Sequence, residues 1–122
     1  MTQPPSPFVF PDPQAAMTDK ISALQEKLAS NPDQIFHRYS LAQAYFEDQQ
    51  LDLACEEFQK CLESKPDWMM AALFLGKAFL EKENKEEARV YLEKALVLAK
   101  DQNHDDPADE AAKLLNECSR PK

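Results

Sequence analysis

Shifted against itself by 34 residues, the chain keeps its order of large and small apolar positions. Leu41-Ala42 falls on Leu75-Gly76, Tyr45 on Phe79, Ala54 on Ala88, Phe58 on Leu92, and Cys61 on Ala95. Pro32 and Pro66 stand the same 34 residues apart, each followed by an aspartate. One more step reaches Lys100-Asp101, where the proline is lost and the aspartate kept. This pattern predicts helices near residues 34–47, 51–64, 68–81 and 85–100. Ala42, Ala54, Gly76, Ala88 and Ala95 would let neighbouring helices approach closely. Leu41, Tyr45, Phe58, Leu75, Phe79 and Leu92 would fill the space between the turns. Asp33 and Asp67 are expected as N-caps, with the prolines before them ending the preceding helix. Asn84 and Glu87 are expected to form a capping box.

A helix pair in a stack buries one side on each neighbour, so two pairs need lids. Ile21, Leu24 and Leu28 make one amphipathic stripe before Asn31-Pro32, on a helix starting at Thr18 or earlier at Asp12-Pro13. Asp106-Pro107 reads as the cap and first turn of a last helix, with Asp109 and Glu110 favourably placed against its dipole. Ala108, Ala111, Leu115 and Cys118 form its narrow inner stripe, while Lys113 and Glu117 stay wet. The division is a tail at 1–17, a capping helix at 18–31, repeats at 32–66 and 67–102, and a capping helix at 103–122. The tail holds five prolines between Thr2 and Pro13 and no basic residue. It is either extended and disordered, or docked through Phe8, Val9 and Phe10, each worth about 1.5–3 kcal/mol when buried.

Leu75-Gly76-Lys77-Ala78-Phe79 and Ala54-Cys55-Glu56-Glu57-Phe58, closing at Pro66, resemble the tetratricopeptide repeat signature of Leu-Gly, aromatic, Ala, aromatic and Pro. The likeness covers about Pro32 to Asp101. It implies an all-α, right-handed α-solenoid of two helix pairs with one capping helix at each end, about six helices in total. Arg38 and Ala72 stand where the family has tryptophan, and Gln49 or Glu83 where it has a turn glycine.

The totals remove several function classes. A formal net charge of −8, with 22 acidic against 14 basic residues, disfavours nucleic acid and an anionic membrane surface as partners. No apolar run approaches the ~20 residues of a membrane span, and Met1 to Phe10 lacks the basic start of a secretory signal. Cys55, Cys61 and Cys118 have no metal-ligand spacing, and Cys55 and Cys61 fall on different faces of one helix. A reducing cytoplasm is the expected setting. His37 and His104 are the only histidines and lie far apart in the pattern. Asp101, Asn103 and Asp105 alternate like the start of a calcium loop, but Asp106 stands where glycine is needed and Ala112 where the bidentate glutamate belongs. With no phosphate loop, nucleophile elbow or metal cluster, neither enzyme nor cofactor is expected.

What remains is the surface. The resemblance implies a hollow side lined by the first helix of each pair, and protein binding in that groove. By helical spacing its side chains are Phe36, Tyr39, Gln43, Phe46 and Glu47, then Met70, Leu73, Lys77, Leu80 and Glu81, with Trp68 at the edge. The alternative is that some simply touch the lids, with Phe36 and Leu73 covered by the first lid or the tail. The family's carboxylate-gripping ring of cations is not matched, since Tyr39, Gln43, Leu73 and Lys77 supply one cation. A hydrophobic peptide, extended or helical, is the expected ligand. The chain then reads as an adaptor or scaffold. The alternatives are a small acidic chaperone for a secreted or assembling subunit, and a protein that self-associates as a homodimer through tail or groove.

Overall fold

The computed structural model describes residues 13–119, and the expected tail before Pro13 lies outside them. The described residues form six helices: α1 (Pro13–Ser30), α2 (Ile35–Glu47), α3 (Leu51–Ser64), α4 (Met69–Glu81), α5 (Lys85–Asp101) and α6 (Asp105–Cys118). The four repeat helices lie within a residue of their expected bounds. α1 takes the earlier of its two possible starts, so the last five residues of the expected tail are helical, and Met17 packs against the core. Ala42, Ala54, Gly76 and Ala88 are all buried, as a stack through small residues requires.

Each helix packs on the next, and two further contacts join α2 to α4 and α4 to α6. Among the described residues, the backbones of α1, α3 and α5 stand apart from one another. The layer α2–α4–α6 is therefore drawn together while the other layer splays, which makes α2, α4 and α6 the inner wall of a curved tetratricopeptide-type solenoid. α6 belongs to that wall as the first helix of a third repeat. Where α4 carries Leu75, Gly76 and Phe79, α6 has Asp109, Glu110 and Lys113 at the same steps of 34, all exposed. A further helix has no apolar surface there to pack against. Its inner stripe is as expected, with Ala108, Ala111 and Cys118 buried and Leu115 partly so.

Caps differ from expectation at four helix starts. Asp33 and Asp67 do not cap; the N-caps are Gln34 and Trp68, without a side-chain hydrogen bond. The reason lies in the turns. Gln34 N–H donates to Asn31 C=O at 3.0 Å and Trp68 N–H to Lys65 C=O at 3.1 Å, so each Pro-Asp pair fills the two central positions of a β-turn. Asn84 does cap, accepting from Glu87 N–H at 3.3 Å, but its own N–H donates to Phe79 C=O, so the return half of the box has no donor. α6 begins at Asp105 behind His104, ahead of the expected cap at Asp106, because the chain turns sharply at Asn103.

Three helix ends share that sharp turn. Gln49, Glu83 and Asn103 have φ of 62°, 63° and 60°. The residue after each bonds back around it: Gln50 N–H to Tyr45 C=O at 2.9 Å, Asn84 to Phe79 at 2.9 Å, and His104 to Ala99 at 2.8 Å. This left-handed C′ position is where glycine costs least, and two of the three carry long side chains instead. Arg38, at the family's tryptophan position, donates to Glu57 at 2.6 Å and ties α2 to α3 with both side chains largely buried. Lys82 pairs with Asp52 at 2.5 Å across the α3–α4 contact.

The core is closely packed at Gly76. A Cβ built there would lie 2.7 Å from both Cγ and Cδ2 of Leu92 and 3.2 Å from the Leu92 backbone nitrogen. Leu92 is itself fully buried, so it has little room to move. Gly76→Ala should therefore lower the thermal and urea midpoints. Overpacking of about 1–3 kcal/mol outweighs the ~1 kcal/mol gained in helix propensity, and an unchanged midpoint would mean that Leu92 yields freely. Gln49→Gly should act in the opposite sense, stabilising by about 0.5–1 kcal/mol through relief of the left-handed strain. A lowered melting temperature in that variant would assign the Gln49 side chain a stabilising role that outweighs its backbone strain.

Candidate functional site

The inner wall carries a connected set of aromatic rings. Phe36, in the first turn of α2, is 65% exposed and stands edge-on to Trp68 at 5.5 Å between centroids. Trp68, the N-cap of α4, lies against Tyr39 at 4.6 Å with the planes tilted by 31°. Tyr39 meets Phe58 at 5.9 Å and Phe74 at 6.3 Å, both edge-on. Phe74 stacks flat on Phe58 at 5.5 Å and takes the edge of Phe46 at 5.6 Å. The series runs from an exposed ring to a fully buried one, so the core holds the outer rings in fixed positions. Each such pair adds about 0.5–1.5 kcal/mol beyond its buried area.

Ten of the eleven expected side chains keep some exposure, and Leu73 does not. Leu73 is only 1% exposed, inside the core cluster that also takes in Ala111 of α6. Assigning it to an open groove is therefore a correction: α6 continues the inner wall and closes over that part of α4. Phe74, the next residue, is partly exposed and was not expected at the site. Lys77, the one expected cation, is bound to Glu110 of α6 at 2.9 Å and lies 5.1 Å from the centre of the Phe74 ring. Gln43 donates to the Tyr39 hydroxyl at 3.4 Å. Phe46, Met70 and Leu80 are partly exposed and pack against the core.

Trp68 and Met70 also border a recess of about 300 Å³ shared with His104 and Gln102. Gln102 closes one side by donating to Asp67 C=O at 3.0 Å. Phe36, Tyr39, Trp68 and Met70 thus form an apolar edge where the N-terminal ends of α2 and α4 meet the α5–α6 turn. A larger recess of about 530 Å³ opens on the opposite side between α3 and α5, lined by Gln59, Leu62, Glu63, Pro66, Tyr91 and Lys94. It follows from the splay of the outer helices, and its one aromatic ring, Tyr91, is partly buried and stacked on Phe79 at 5.7 Å. The inner edge is the better candidate for a partner.

Burial favours the neutral forms of Tyr39, Cys55 and Cys61. Burial pushes the Tyr39 hydroxyl up to about 12, with a smaller contribution from Cys61, so it stays protonated as a hydrogen-bonding group. Burial pushes the Cys61 thiol up to about 11, with Arg38 opposing and Glu57 adding to the shift. The Cys55 thiol is raised first by burial, with Lys82 opposing and Asp52 adding. All three cysteines are free and buried. Among the described residues no group of three His, Cys, Asp or Glu is placed to hold a metal ion. Asp101, Asn103 and Asp105 are divided between the end of α5, the turn and the start of α6. No helix among the described residues is long and apolar enough to cross a membrane.

Residues 40–119 match the family described as regulator of microtubule dynamics protein 1-3. Solved structures give the fold. A Bordetella parapertussis protein solved in solution is 25% identical, with a TM-score of 0.73 over 82% of this chain and 87% of that one. A tetratricopeptide repeat domain protein from Salinibacter ruber is 20% identical, with a TM-score of 0.65 over 73% of this chain and 90% of that one. MamA of MSR-1 is 23% identical, with a TM-score of 0.64 over 84% of this chain and 66% of that one. A comparison with curated proteins finds no match.

The raised thiols carry a testable consequence. A thiol that ionises less readily folded than unfolded supports the fold below its ordinary value near 9 and loses that support as pH rises towards about 11. The urea midpoint should fall between pH 9 and 11, and less steeply in Cys61→Ala than in the wild type. At pH 8 a thiol reagent should modify the cysteines only as fast as the protein opens. Rapid labelling of the native protein would contradict their burial.

Proposed function

The chain belongs to the family described as regulator of microtubule dynamics protein 1-3, and from that premise we propose a non-catalytic adaptor that holds an apolar segment of a partner protein against the inner aromatic edge. The observation that carries this reading is Phe36. A phenylalanine 65% exposed, fixed against Trp68 and continuous with a buried aromatic series, is a preformed anchor. Its rigidity lowers the ordering cost of binding. Covering it would contribute about 1.5–3 kcal/mol, and aromatic side chains of this kind dominate the energy of many interfaces. The ligand is hydrophobic rather than carboxylate-terminated, because Lys77 is engaged by Glu110. Met70 and the recess beside Trp68 supply an adaptable second contact.

Trp68 is the chain's single tryptophan and reports directly on the site. Apolar peptides selected from a display library on the wild-type protein should shift its emission on binding. Phe36→Ala should weaken them about tenfold or more, while Lys94→Ala in the outer recess should leave them unaffected. Peptides that bind Phe36→Ala and Met70→Ala as tightly as the wild type would move the site elsewhere. The family's name ties its members to microtubules, which makes polymerised tubulin the first macromolecular probe. Co-sedimentation of the wild type but not of Phe36→Ala would place that contact on the aromatic edge. Equal co-sedimentation of both would place it off that edge.

A further inference from the structure

In the 34-residue frame α1 is the second helix of a pair. Lys20, Leu24 and Lys27 occupy the positions of Ala54, Phe58 and Cys61 in α3, and of Ala88, Leu92 and Ala95 in α5. In α3 and α5 those side chains are buried inside their hairpins, Leu92 lying directly on Gly76. In α1 they line a groove of about 360 Å³, with Ala23 on the same wall and Ser40 and Gln43 of α2 on the other. The groove lies where the first helix of that pair would pack, between a second helix and the next first helix. The same frame assigns residues 1–12 to that place, as equivalents of 35–46 in α2.

We propose that Met1–Asp12 folds back into this groove as an extended strand, seating Phe8 on Leu24 and Ala23 and Phe10, on the same side of the strand, nearer Lys20. Pro4, Pro5, Pro7 and Pro11 remove backbone donors and forbid the helix that the frame would otherwise place there, while favouring extended backbone. The reach is right. Leu24 lies eleven residues into α1 from Pro13, about 16 Å along the axis. The five residues from Phe8 to Pro13 span about 17 Å when extended. Charge agrees as well, since Lys20 and Lys27 face a segment that holds Asp12 and no Lys or Arg. Lys20 also reaches Glu47 across the groove at 3.5 Å, with both side chains about half exposed, a contact that a docked strand covers. The occupant is the chain's own segment, and the proposal stands apart from the partner site at Phe36.

A nitroxide on Ser6→Cys in the full, isotope-labelled chain tests this, the three native cysteines being buried. Amide signals of Ala23, Lys27 and Ser40 should broaden, and those of Glu93 and Val97 should not. Phe8→Ser combined with Phe10→Ser on the same labelled chain should restore the broadened signals. Absent or evenly spread broadening, or broadening that survives the double substitution, would overturn the proposal. So would broadening seen in an equal mixture of spin-labelled and isotope-labelled chains, which would make the occupant a second copy.

Discussion

The stack depends on how closely the helices of a pair approach, and Gly76 against Leu92 sets that distance. At 2.7 Å from a would-be Cβ, the α4–α5 crossing leaves no room even for a methyl group. The equivalent crossing of α2 and α3 places Ala42 and Phe58 at the same steps of 34, both fully buried. Large side chains then fill what the small ones leave. Phe58 and Leu92 lie inside their hairpins, and Leu75 is buried beside them. In a solenoid each unit is stabilised by its neighbours, so the spacing of one hairpin is transmitted to the next through the face they share.

That spacing produces the candidate site. With inner helices in contact and outer ones apart, the ring at position 74 is held between two hairpins. Phe74 stacks on Phe58 from α3 and meets Tyr39 and Phe46 from α2, joining the second pair to the first. Tyr39 is fixed from below by this contact and from above by Trp68. Of these rings only Phe36 is left largely in water. Deeper in the wall, Lys77 and Glu110 bind α4 to α6 and replace an open groove with an ion pair. The exposed apolar surface is therefore an edge rather than a trough.

The fold was legible because the repeat acts through residue size, and size order survives where identity does not. Cys61 and Ala95 are different residues with one role, and both are buried. The site was legible only in part, for a reason that follows from the same method. Matching positions 34 apart assumes that equivalent positions have equivalent surroundings. Tyr39 and Leu73 are equivalent in the frame, but Leu73 has α6 beside it and is closed off. Phe74 pairs with Ser40, a mismatch in size, and the comparison passed over it although it lies three to four residues from Met70 and Lys77 on the same face. The caps failed at the level of a single residue. Periodicity places a helix but does not decide whether the preceding turn takes its aspartate, as the hydrogen bonds of Gln34 and Trp68 show that it does.

The two ends of the stack are finished by different physics. At the C-terminal side α6 presents Asp109, Glu110 and Lys113 where a following helix would require Leu, a small residue and an aromatic ring. Packing another hairpin there would bury three charges, which costs far more than apolar contact could return. At the N-terminal side α1 is finished less completely. Lys20 and Lys27 discourage a further helical hairpin, yet Leu24 between them remains an apolar contact at the centre of a groove. A surface with charged flanks and an apolar middle suits a narrow extended strand better than a helix. A strand covers the middle and leaves the lysine ammonium groups in water. The end that charges alone do not close is thus the one beside twelve residues rich in proline, free of basic side chains and carrying three large apolar groups.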